Sequence, residues 1–313
     1  MVFKKILGAL GVGGPSVDTV LANPLTRPGA DLTGEVRLTG GKHEMGIERI
    51  ALSLVTHIHT EHGAQAVEFH GGVVAERFLL QAGEDKVVPF VLTLPWEAPI
   101  TEIYGQHLPG MNLGVRTELS VAKAVDKGDL DPVSVQPLPT QQRVLEAFSQ
   151  LGFRFTKADL ERGHIYGLHQ QLPFYQEIEF FPPAQFAGQI NEVELTFVTS
   201  PSELVVVLEA DKRGGFFSSG QDVFGRIHVT HAQAMMTDWA AELTGWLHQV
   251  TERRHQYPGY QKGSGGGYYE GHEGHRRGPG MGGMVAGAAA GVAGGMILGE
   301  VLDGSGEEFF GDE

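Results

Sequence analysis

The chain of 313 residues contains no cysteine. That excludes disulfides, thiolate metal sites and cysteine nucleophiles, and it suits a reducing cytoplasm. Basic residues are scarce: 23 Lys and Arg stand against 38 Asp and Glu, a net charge of −15. Phosphate backbones are neutralised by basic faces, so no nucleic-acid partner is expected, and an anionic membrane would repel the body of the chain. Long apolar runs are missing too, and nothing in residues 1–255 is able to span a bilayer. There is no Gly-x-Ser-x-Gly elbow, and neither glycine run has phosphate-binding spacing between a strand and a helix. The 38 acids include no marked catalytic pair. No catalytic residue and no cofactor is expected, and the chain reads as a non-enzyme.

What the chain does have is period-two alternation. Ile50, Leu52, Leu54 and Ile58 share one parity, with Ser53, His57, His59 and Glu61 on the other. Such alternation marks a strand with one buried face. Val88, Phe90, Leu92 and Leu94 repeat it, as do Val115, Leu119 and Val121 against Arg116, Glu118 and Ser120. Gly40-Gly41, Gly71-Gly72 and Leu108–Met111 read as turns between them. At the start, Phe3, Ile6, Leu7 and Leu10 follow helical spacing with Lys4 and Lys5 opposite, which predicts a short docking helix rather than a signal peptide. Residues 1–135 therefore read as an antiparallel β-sandwich.

Residues 136–165 read as a connector. Asp126–Pro132 is a polar turn before it, Gln136–Thr140 is proline-rich, and Thr140 is the expected N-cap of a helix. That helix carries Val144, Leu145, Phe148 and Leu151 on one stripe and stops at Gly152. Strand patterning resumes over 166–235: Phe174, Ile178 and Phe180, then Val193, Leu195 and Phe197, then the apolar run Leu204–Leu208, then Val223–Val229. An amphipathic helix is predicted over 236–255, with Met236, Trp239, Leu243, Trp246, Leu247 and Val250 on one stripe.

Taken in order, several stretches resemble the bacterial sporulation-control proteins of the stage-zero M type. They are Phe3-Lys-Lys-Ile6, Gly11-Val-Gly-Gly14, Val17-Asp-Thr19, Gly34–Gly41, Phe90–Pro99, Leu119–Asp126, Leu151–Phe155, Leu172–Phe180 and Leu208–Arg213. The similarity spans residues 1–235, and order and spacing carry it rather than any single motif. The resemblance implies an all-β fold of two arrestin-like antiparallel β-sandwich domains. It further implies a cytoplasmic regulatory or scaffolding role that works through protein partners, with links to sporulation and cell-division control. It brings no catalytic residues.

The glycine-rich tail, 256–313, departs from that family pattern and holds 19 of the 45 glycines. Gly283, Gly287, Gly291, Gly295 and Gly299 recur every fourth residue within 279–299. On a helix they would form a side-chain-free groove suited to close helix packing or to a membrane. The alternatives are a disordered tail, a membrane-tethered adaptor, and self-association. Two ligand-like patterns are weaker. His57, His59 and His62 place two imidazoles on one strand face, as zinc or nickel would need with Glu61, but an exposed strand face and turn rich in histidine is the preferred reading. Asp126, Asp129 and Asp131 lack the spacing and closing glutamate of an EF-hand. No metal is assigned to either.

Overall fold

A computed structural model of the chain describes residues 8–9, 13–60, 63–121, 127–212, 223–252 and 296–297. In chain order the elements of the first half are β1 (Gly8–Ala9), β2 (Ser16–Leu21), β3 (Leu25–Thr26), β4 (Asp31–Thr39), β5 (Met45–Thr60), β6 (Gly63–Ala75), β7 (Phe78–Leu80), β8 (Asp85–Thr93), β9 (Glu102–Ile103), β10 (Gln106–His107), β11 (Leu113–Val121) and β12 (Lys127–Val135). Helix α1 (Pro139–Leu151) follows, then β13 (Arg154–Arg162), β14 (Phe174–Phe181), β15 (Ile190–Thr199), β16 (Glu203–Lys212), β17 (Val223–Thr230), α2 (His231–Met236), α3 (Trp239–Glu252) and β18 (Met296–Ile297).

The first half is a two-sheet sandwich. One sheet runs β1-β2-β4-β8 and the other β3-β12-β11-β5-β6, with β7 also on β5. The alternation read from β5 is its pleat: Ile50, Leu52, Leu54 and Ile58 are buried between the layers, as are Leu32, Val36 and Leu38 of β4 and Phe90 and Leu92 of β8. A polar contact crosses this core where the Thr19 and Thr117 hydroxyls bond at 2.6 Å, so each of two buried hydroxyls satisfies the other.

The second half is a single antiparallel sheet in the order β13-β14-β15-β16-β17-β18. Its inner face, built from Ile178, Phe180, Val193, Leu195, Val206, Leu208 and Ile227, is closed by helices. Phe148 of α1 stacks on Phe180 and Phe153 at ring distances of 4.7 and 4.3 Å. From α3, Trp246 lies over β17, where a Cβ on Gly225 would overlap its indole ring. That position accepts only glycine without moving the helix.

One core joins the two halves, and the segment after β8 ties them. The Glu97 carboxylate accepts the Gln171 and Leu172 amides at 2.8–2.9 Å. The Gln176 amide bonds both the Ile100 N–H, at 3.0 Å, and the Ile100 carbonyl, at 2.8 Å. Tyr104, at φ +52° in the β9–β10 hairpin, donates its hydroxyl to the Leu145 carbonyl of α1 at 2.7 Å. Burial pushes that phenol up to about 12.

Several local expectations are corrected. Of the turn expected over Asp126–Pro132, Asp126 lies outside the described residues, and residues 127–132 are instead strand, since Lys127–Val135 pairs with β11 over 127–133. Its aspartates, glycine and proline are turn formers overruled by tertiary pairing. Gly71-Gly72 lies inside β6 between two register shifts against β5, where a Cβ on Gly71 would collide with the Leu52 carbonyl. The connector expected over 136–165 contains β13, the end strand of the second sheet. Thr140 is not the N-cap of α1. Leu138 is, with Pro139 at the first turn and the Gln141 side chain accepting the Leu138 amide at 2.8 Å. The Thr140 hydroxyl instead meets His231 Nδ1 at 3.1 Å. Met236 ends the separate helix α2 and is 87% exposed, off the buried stripe of α3. The docking helix expected over the first ten residues conflicts with Gly8–Ala9, which form a strand on β2.

Candidate functional site

In a β protein the sheet ends are the places where another chain can add main-chain hydrogen bonds. Their protection is uneven. β1 and β3 are two-residue strands. β8 carries Pro89 and Lys86, residues that discourage pairing at an edge. β13 packs beside β5 of the first half. β17 is followed by β18. Among the described residues, β6 is the long end strand with neither proline nor lysine; it carries two bulges against β5 and touches β8.

β6 runs for 13 residues, nine of them exposed. It has no proline and no lysine, and its acid Glu68 is paired with Arg116 at 2.6 Å. Val73 is 49% exposed. The register skips Phe69, a bulge that re-aims its ring toward the second half, where it meets Phe174 edge-on at 5.4 Å. β6 is thus held at its middle through Phe69, while nine of its 13 residues are exposed.

The outer face of the second sheet is the other unusual surface. Four like-charged pairs stand directly opposite one another: Asp159 with Glu177, Glu179 with Glu194, Glu194 with Glu209, and Glu192 with Asp211. Such pairs cost roughly 0.2–1 kcal/mol each. Lys157 offsets part of this by bridging Asp159 at 2.7 Å and Glu179 at 2.6 Å. Part of the face is roofed by the β13–β14 loop, where the Gln170 amide bonds the Gly163, Leu172 and Phe174 carbonyls at 2.8–3.0 Å. That pins Ile165 and Leu168 over Val198, Val205 and Val207. Under the loop, one carboxylate oxygen each from Glu177, Glu194 and Glu209 lie within 4.8 Å of one another. Burial, then repulsion from Glu194, Glu161, Glu179 and Asp159, pushes the Glu177 carboxyl up to about 8. Glu192 rises to about 8 through burial and its hydrogen bond with Glu179. Tyr175 is raised by burial and by Glu177, and burial lowers the Arg226 guanidinium. Three clustered carboxylates are what a hard divalent cation takes as ligands, while the raised Glu177 carboxyl favours holding a proton there.

The family model described as SpoOM protein matches residues 3–214, more than half of the chain. The chain belongs to the SpoOM family. The sporulation-control protein Spo0M of Bacillus subtilis strain 168 is 35% identical over 217 residues, covering 67% of this chain and 81% of that protein. The crystal structure of Bacillus subtilis Spo0M matches with a TM-score of 0.66 at 29% identity, covering 76% of this chain and all of that one. The mostly antiparallel β fold is therefore that of the family. The region matched by the family model includes β6 and the three glutamates, and stops before β17, α2, α3 and the tail.

The residues singled out in the sequence lie elsewhere. His57 stands on β5 opposite Ala66 and is half-buried, His59 stands opposite Ala64, and His62 lies outside the described residues. Asp129 and Asp131 stand on β12 opposite Thr117 and Val115, and Asp126 lies outside the described residues. Gly283, Gly287, Gly291, Gly295 and Gly299 lie outside them too. Within 279–299 the described pair Met296–Ile297 is extended, not helical. No described helix is long and apolar enough to cross a membrane. The Glu177, Glu194 and Glu209 cluster was missed because each strand alone shows only polar alternation; strand register, which the sequence does not state, brings the three together.

Proposed function

We propose that the chain is a sporulation-related regulatory protein that acts by binding other proteins and catalyses no reaction, with the β6 edge as its principal binding surface. The observation that supports this reading is the mostly exposed 13-residue end strand, free of proline and lysine, on a scaffold whose other described ends are short, guarded or covered. A partner segment would add as a further strand, main-chain bonds supplying affinity and the side chains at alternate positions supplying selectivity. The rigid junction through Glu97, Gln176 and Tyr104 supports a scaffold that presents this edge at a fixed angle. The curated relative is named a sporulation-control protein, and its role is extended to this chain here. The link to cell-division control is part of the same proposal.

Val73→Lys places a charge at an exposed position of the edge, as guarded edges do. Affinity purification after crosslinking in the native host is expected to lose the wild-type partners about tenfold or more with Val73→Lys. Val87→Lys, on the guarded β8 where the side chain is 54% exposed, is expected to keep them. Equal recovery by both variants, or robust turnover of a small substrate, overturns the reading.

A further inference from the structure

β17 is a second edge that its own sequence leaves unguarded. It reads Val-Phe-Gly-Arg-Ile-His-Val-Thr, with no proline and no lysine, and its Ile227 and Val229 are buried in the core of the second sheet. A strand of that kind at the end of a sheet is a template for pairing. In this chain it is paired. Met296 stands opposite Ile227 and Ile297 opposite Arg226, in antiparallel register, some 70 residues further along the chain.

The composition of the tail agrees with that pairing. Met296-Ile-Leu298 is the bulkiest apolar run in residues 278–313, and Gly294-Gly295 and Gly299 bound it. Glycine weakens strands while isoleucine favours them, so this is where the tail is best able to extend. The register pairs Met296 with Ile227, an inner-face position of the second sheet, in antiparallel sense.

We infer that Met296–Ile297 is a built-in added strand that caps the β17 edge at Arg226 and Ile227. An extended apolar segment from another protein reaches β17 only by displacing it. This goes beyond the β6 reading and does not depend on it: the occupant is the chain itself, and the site lies past the region matched by the family model.

The test uses the full-length chain and a full-length double variant, Met296→Pro with Ile297→Pro, which removes both amides whichever of them faces β17. Hydrogen exchange is read on peptides covering 223–230. The variant is expected to exchange there about tenfold faster while peptides of β14 and β15 are unchanged. A synthetic peptide of residues 290–303 is then added to the variant. It is expected to restore protection of 223–230, and the same peptide carrying both prolines is expected not to. Unchanged exchange at 223–230 overturns the cap, and so does loosening spread evenly over the second sheet or failure of the wild-type peptide to protect.

Discussion

Phe148→Ala is expected to lower the melting temperature of the whole protein by roughly 10 °C while leaving a single unfolding transition. Phe148 is fully buried, and its ring stacks on Phe153 and Phe180, so it fixes α1 against the inner face of the second sheet. Removing a buried phenylalanine ring costs about 3–5 kcal/mol. For a protein of this size each kcal/mol shifts the midpoint by about 2–4 °C. The transition stays single because α1 also receives the Tyr104 hydroxyl from the first half and one core runs through both. Calorimetry is the measurement. A split into two transitions, with the first sandwich melting at its original temperature, would show that the halves are not coupled through α1. Arg143→Ala, on the exposed side of the same helix, is expected to stay within about 0.5 kcal/mol of wild type.

The second large effect is on pH. Glu177 and Glu192 titrate near 8 in the folded protein and near 4.5 in a free chain. The groups facing Glu177 are Asp159 and Glu161 from β13, Tyr175 and Glu179 from β14, Glu194 from β15, Glu209 from β16 and Arg226 from β17. The folded state therefore binds protons that the unfolded state has already released over this window. Stability is highest toward its acidic side and falls as pH rises from about 4.5 to 8. Glu177, the more deeply buried, is expected to account for about 2 kcal/mol of that fall. Glu177→Gln keeps the shape and removes the charge. It is expected to raise the melting temperature at pH 8.5, flatten the profile between pH 5.5 and 8.5, and change little at pH 5. A variant profile parallel to wild type would show that the acidic face is compensated by groups other than the proton on Glu177.

How much of this was visible in the residues depends on whether the signal lies within one strand or between strands. The face of β5 was legible because Ile50, Leu52, Leu54 and Ile58 obey the pleat of a single strand buried on one side, and β16 because Leu204–Leu208 is apolar without interruption. β12 was hidden because Gly128, Asp129, Asp131 and Pro132 are poor strand formers held in place by pairing with β11. β6 was hidden for a different reason: Val67, Phe69, Val74 and Ala75 only partly pack on the core, and two bulges break their alternation. Glu177, Glu194 and Glu209 are ordinary acids on three strands until antiparallel register sets them side by side. The helical spacing of glycines in the tail was plain, yet Met296–Ile297 pairs as a strand, because an open sheet edge offers main-chain partners that a helix in water does not supply.

The claim that the chain works by adding a partner strand to β6 is tested most directly by a photo-crosslinking amino acid placed at Val73, with Val87 as the control, in the full-length protein within its native host. The account predicts a discrete protein adduct at Val73, its attachment site mapping to an extended segment of the partner, and no such adduct at Val87. Equal labelling at the two positions, or none at Val73 while the partner is still retrieved by affinity purification, would contradict it.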